Sequence, residues 1–180
     1  MCKAPLLGLL TLLTSLVAVP ATAQNSKVTK DVDGVANFAR IETTIACGGA
    51  TKPEAIAAIG KLGFVSVINL RLADEPGANI EVEAAAAKAA GMRFTHIPFS
   101  TQMPDPAAVD LFLAAITKPG AEPAFIHCAG GSRAAMMWLV KRALVDHWDI
   151  DRATREATDL GLASEALRKF AVDYINAHKR

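Results

Sequence analysis

His127-Cys128-Ala129-Gly130-Gly131-Ser132-Arg133 places a thiol, two adjacent glycines and a guanidinium in one short segment. Before it, Ala124 to His127 reads as a short buried strand; after it, Ser132 to Val145 reads as a long helix. In an open α/β sheet, ligands bind at the carboxyl ends of strands. Glycines there allow a tight turn whose successive N–H groups converge as a nest for an anion. The following helix adds the positive end of its dipole. Cysteines at such helix starts are commonly thiolates near neutral pH. A guanidinium fork matches two oxygens of a phosphate. Thiolate nucleophile, amide cradle and guanidinium together are the parts for phosphoryl transfer through a cysteinyl-phosphate.

Cys128 and Arg133 are therefore read as catalytic. Ala129, Gly130, Gly131, Ser132 and Arg133 are read as the phosphate-binding loop, with His127 supporting it by hydrogen bonding. The plainer reading is a strand-to-helix turn whose glycines serve geometry and whose cysteine is a small buried hydrophobe. Strand, glycines, arginine and helix all fall in register, which favours the functional reading.

The elements that position this loop follow from the hydrophobic pattern. Gln24 to Asp33 is a polar leader. Phe38 to Ile41 and Thr44 to Cys47 read as two short strands. Thr51-Lys52-Pro53-Glu54 has the form of a capping box opening a helix that ends at Gly63. Phe64 to Leu70 is a continuous apolar run suited to a strand buried on both faces. An Ala-rich helix from Ile80 to Ala90, a strand from Arg93 to Phe99 and a helix from Pro106 to Ile116 come next. Helices near Ile150 to Asp159 and Ser164 to Ala177 close the chain. Strands alternating with helices predict a single α/β domain. Its central sheet is expected to be mainly parallel, with four to five strands and helices on both faces.

With its flanking elements, the loop resembles the phosphate-binding loop of tyrosine and dual-specificity phosphatases. It is one residue shorter than theirs, since only four residues separate Cys128 from Arg133. That shorter form is similar to the beta-lactamase-hydrolase-like phosphatase domain. The likeness extends over Asn37-Phe38, the Thr-x-Pro-Glu helix start, Leu62-Gly63-Phe64 and Val67-Ile68-Asn69-Leu70-Arg71. It continues through Ala90-Gly91-Met92 and His96-Ile97-Pro98. The resemblance implies a tyrosine-phosphatase-like fold, Cys128 as nucleophile, Arg133 as phosphate clamp, and a phosphorylated protein or small phosphate ester as partner. It also implies a Ser or Thr after the arginine to steady the thiolate as leaving group; Ala134 stands there instead, with Ser132 as a substitute. A rhodanese-type sulfurtransferase and a phosphate- or sulfate-binding module without turnover are the alternative readings.

A phosphatase also needs an acid to protonate the leaving group. Asp105, in the loop before the Pro106 helix, is the first candidate; its plainer role is a helix cap. Asp74 and Glu75 follow it. His96 reads as a satisfied core residue, Met136, Met137 and Trp138 as core packing, and Lys141-Arg142 as a solvated helix end. Neither a cofactor motif nor a metal-ligand cluster is present in the sequence.

Residues 1–23 carry Lys3, an apolar run to Val19, then Pro20 and Ala21-Thr22-Ala23. This is the pattern of a signal peptide cleaved before Gln24, so a periplasmic or secreted product is expected. An uncleaved anchor is the rival reading. Residues 24–180 then form one domain with 18 basic and 18 acidic side chains. That balance argues against a nucleic-acid or membrane-surface partner. Cys2 leaves with the signal, so Cys47 and Cys128 remain. In an oxidising compartment Cys47 is a structural disulfide half, a redox partner that traps Cys128, or a buried small residue.

Overall fold

All four residues of Ala124–His127 are sealed from solvent, which requires neighbours on both faces and both edges. The computed structural model supplies them, describing residues 28–30 and 32–179. The export signal read over residues 1–23 lies outside the described residues. Six strands form one sheet: β1 (Val28–Lys30), β2 (Ala39–Ile41), β3 (Ile45–Gly48), β4 (Ser66–Asn69), β5 (Arg93–His96) and β6 (Ala124–His127). Their order is β1-β2-β3-β6-β4-β5. β3, β6, β4 and β5 run parallel, and β2 and β1 extend the β3 edge antiparallel. The α/β architecture is the expected one, with one strand beyond the four or five read from sequence. The extra strand is Val28–Lys30, inside the polar leader. A three-residue edge strand held by backbone pairing to β2 leaves almost no hydrophobic signal.

The period of two along each strand splits the core in two. Ile45, Cys47, Ile68 and Ile126 face α3 (Pro106–Ile116), α4 (Ser132–Leu144), α5 (Ile150–Asp159) and α6 (Glu165–His178). Ala46, Val67 and Phe125 face the layer of α1 (Ile56–Lys61) and α2 (Ile80–Ala89). α4 is buried almost all round, because α5 and α6 cover the side turned away from the sheet. Met136, Met137 and Trp138 are fully buried there.

Two local expectations change. Thr51 is not an N-cap: its hydroxyl donates to the carbonyl of Gly49, and the chain enters α1 through a 3-10 turn, Pro53–Ala55. Its bond ties the loop after β3 instead. Lys141 and Arg142 are not a solvated end. Lys141 is buried and paired with Glu122 and Asp146, while the Arg142 guanidinium stacks on Trp138 and Trp148. Acidic partners on the segments around α4 make that burial tolerable.

Phe125 is fully buried between Phe38, at 6.0 Å between ring centroids, and His127, at 5.3 Å. Phe125→Ala is expected to cost about 3–5 kcal/mol. Urea denaturation checks this; a loss below about 1 kcal/mol would mean the α1–α2 layer repacks freely.

Candidate active site

Cys128 follows β6 directly, and the chain from Ala129 to Gly131 turns into α4. Only Gly131 needs the freedom of glycine for its backbone, with φ +101°. Its N–H donates to Cys128 Sγ at 3.1 Å. The amides of Ala129 and Gly130, both exposed, donate to no carbonyl among the described residues. The first-turn amides of a helix are likewise without intrahelical partners. The loop is gripped from β3: Cys128 N–H donates to Gly48 O at 3.1 Å and Ala50 N–H to Ala129 O at 2.8 Å. Asn37, itself at φ 49°, donates from Nδ2 to Gly130 O at 3.0 Å. Gly49 is what permits this closeness, since a Cβ there would stand 2.6 Å from Ala129 O.

Arg133 is 7% exposed. Its Nη1 donates to Leu70 O at 3.2 Å, to Phe99 O at 2.9 Å and to Glu75 Oε1 at 2.5 Å, and Nη2 donates to Glu75 Oε2 at 2.8 Å. The bidentate partner Glu75 sits on the loop after β4. Arg71 pins that loop, donating to Glu75 and to the carbonyls of Pro76 and Gly77. Burial alone would raise the Glu75 pKa. The hydrogen bonds from Arg133, Leu72 N–H and Arg71, with the Arg133 charge, outweigh it and hold the carboxyl at about 2. Burial likewise disfavours the Arg133 cation, yet Glu75 and Cys128 beside it raise its pKa above the ordinary value. The Arg133 guanidinium also hydrogen-bonds the Cys128 side chain, which favours its cation.

Beneath the loop, His127 Nε2 meets Glu83 Oε1 at 2.5 Å, and Glu83 Oε2 accepts from Asn69 Nδ2 at 3.0 Å. All three are buried. His127 thus supports the loop as expected, through a carboxylate on α2 that the sequence reading did not single out. Glu83 and Ala87, four apart on one helical face, are the buried residues of α2, and no local pattern marked the carboxylate.

Cys47 lies on β3 opposite Ile126, with the same face as Cys128 turned to α4. Both are free thiols. Burial pushes the Cys47 thiol well up, and the neighbouring charges of Cys128 and Glu156 add to it. Its strand partner Ile126 stands two positions before Cys128 in the chain.

A cavity of about 660 Å3 opens over Cys128, Gly130, Ser132 and Arg133, walled by Leu72, Asp74, Glu75, Ser100–Gln102, Ser164 and Leu167. Asp105 is not among its lining residues. Its Oδ1 accepts from Ala107 N–H at 2.9 Å and caps α3. Asp74, exposed, does line it. Ser132 lines it too, but its hydroxyl donates to Gly161 O at 2.9 Å, tying the loop to the α5–α6 turn. Among the described residues no group of three or more His, Cys, Asp or Glu could hold a metal ion.

Residues 37–145 match the family described as beta-lactamase hydrolase-like protein, phosphatase-like domain. No curated protein sequence matches the chain. Among solved structures, TpbA of P. aeruginosa is similar at 20% identity, covering 88% of this chain and 94% of that one, with a TM-score of 0.63. A cysteine-to-serine variant of TpbA in complex with pTyr matches at 21%, covering 86% and 91%, TM-score 0.61. The core catalytic domain of the PP-IP phosphatase SIW14 from S. cerevisiae matches at 20%, covering 80% and 88%, TM-score 0.61. At these identities the likeness concerns the fold.

Because the Glu75 pKa is lowered from 4.5 to about 2 by folding, its contribution to stability is complete above the unfolded value and fades as pH falls from about 4.5 toward 2. Glu75→Gln is expected to be less stable than wild type at pH 7 and to lose less on acidification. Thermal melts between pH 7 and pH 2.5 check this; parallel pH profiles would remove Glu75 from the ion pair.

Proposed function

We propose, for a chain that belongs to the phosphatase-like domain family of beta-lactamase hydrolase-like proteins, that Cys128 hydrolyses a phosphate monoester through a phospho-cysteine intermediate. The observation that carries this reading is the Cys128 sulfur at the floor of an open cavity, with the Gly131 N–H on it and Arg133 beside it. The complex of a TpbA variant with pTyr adds that this fold accommodates a phosphate ester.

In the first step the thiolate attacks phosphorus, the P–O ester bond breaks and the leaving oxygen takes a proton. The loop amides and Arg133 meet the developing charge on the equatorial oxygens. Water then attacks phosphorus and the P–S bond breaks; orthophosphate leaves and the thiolate is restored. Glu75 cannot supply the proton, since the ion pair with Arg133 keeps it ionised. Asp105 is engaged as a helix cap away from the cavity lining. Asp74 is the remaining carboxyl on the wall, and we assign it the acid role in the first step and the base role in the second.

Cys128→Ser is expected to abolish turnover of 4-nitrophenyl phosphate while keeping phosphate or vanadate binding. Arg133→Lys should weaken binding strongly, because an ammonium replaces neither the fork nor its ties to Leu70 and Phe99. An unchanged rate in Cys128→Ser, or thiocyanate formation from thiosulfate and cyanide without phosphate release, would overturn the reading. Asp74→Asn should slow phenyl phosphate, a poorer leaving group, by about 10²-fold or more and 4-nitrophenyl phosphate far less; Asp105→Asn should slow neither selectively. Equal slowing of both esters in Asp74→Asn would reject its acid role.

With Ala134 fully buried and the Ser132 hydroxyl on Gly161 O, no hydroxyl is hydrogen-bonded to Cys128 Sγ among the described residues. Release of the thiolate from phosphorus should therefore limit turnover. Rapid-quench kinetics should show a stoichiometric burst of 4-nitrophenol followed by a slow steady state, and Ala134→Ser should raise the steady-state rate. A missing burst would place the slow step before the intermediate.

A further inference from the structure

Resting on the phosphatase reading, we infer that the cavity takes esters bearing one phosphate on an uncharged carrier and discriminates against polyphosphorylated substrates. Each additional phosphate brings about −1.5 to −2 charge that must meet a cation or a set of N–H donors. Among the described residues, Arg133 is the only basic side chain lining the cavity. Its charge is already matched by Glu75 through a two-oxygen ion pair, and its Nη1 is further spent on two backbone carbonyls. The phosphate-binding loop and the α4 start supply donors for one phosphate, beside the thiolate that attacks it.

Among the described residues, the rest of the wall offers no cation for a second phosphate. Ser100, Gln102 and Ser164 are neutral and polar, Leu72 and Leu167 are apolar, and Asp74 is neutral when protonated and repulsive when ionised. A neighbouring cavity of about 530 Å3 contains Lys52 and Arg71, but the Arg71–Gly77 loop stands between it and Cys128, with Pro76 common to both. Arg71 is buried and its guanidinium is consumed by Glu75, Pro76 and Gly77. A carrier offering hydroxyl or aromatic surface fits this lining; one offering further phosphates meets uncompensated negative charge.

The test is competitive inhibition of 4-nitrophenyl phosphate hydrolysis by orthophosphate, phenyl phosphate and tripolyphosphate at fixed ionic strength. Phenyl phosphate should bind at least as tightly as orthophosphate. Tripolyphosphate should bind about thirtyfold more weakly than orthophosphate, the factor equivalent to about 2 kcal/mol at 1.4 kcal/mol per tenfold. Gln102→Lys, which adds a cation to the wall, should narrow that gap at least about tenfold, and added salt should narrow it in wild type. Tripolyphosphate binding as tightly as orthophosphate in wild type, or a gap unmoved by Gln102→Lys, overturns the inference and leaves the phosphatase reading standing. Failure to hydrolyse 4-nitrophenyl phosphate at all overturns both.

Discussion

Arg133 reaches from the first turn of α4 to the carbonyl of Leu70, just past β4, and to that of Phe99, beyond β5. Its remaining donors close on Glu75. One guanidinium thereby joins β6 and α4 to the ends of two other parallel strands and to the loop walling the cavity. The Leu70 carbonyl already accepts from Phe99 N–H, so Arg133 adds a second bond there and ties the Phe99 carbonyl to the same point. A planar cation with five donors can bond both carbonyls and hold a carboxylate at once. A lysine at 133 could not cover the same geometry.

The same economy explains the loop's second support. The backbone of Gly48 to Ala50 runs against Cys128 and Ala129 closely enough to bond them directly, which only a residue without Cβ at position 49 allows. Asn37 and Thr51 bracket that contact from either side. The position of Cys128 is therefore set by neighbouring strand ends as well as by Gly131 of its own loop. Glu83 completes it from the opposite layer by holding His127 and Asn69, the last residues of β6 and β4.

The elements were largely legible because their signals are local. Pro106–Ile116 is recovered to the residue, and β4 and β6 announce themselves as apolar runs. Cys128, Gly131 and Arg133 were legible because spacing alone brings them to one turn. The partners were not, because they are long-range. Glu75 is 58 residues from Arg133, and Glu83 is 44 from His127. Nothing in an isolated acidic residue on a loop or an Ala-rich helix says which partner it will meet. Asp105 illustrates the converse. Asp followed by Pro is a strong local cap signal, and the cap is what the structure shows.

Charge matching around Cys128 has a chemical consequence of its own. In the proposed phosphoryl transfer, a guanidinium that bound phosphate product as firmly as the transferring phosphoryl group would add little to the rate. Pairing it with a carboxylate held at about 2 removes the net charge. On the proposed reaction, what is left for the reacting group is oriented N–H bonds from the loop and the helix start. Such donors are most effective when they need not reorganise as charge develops. The Glu75 pair, the carbonyl ties and the Gly49 contact are the means by which this chain keeps them fixed.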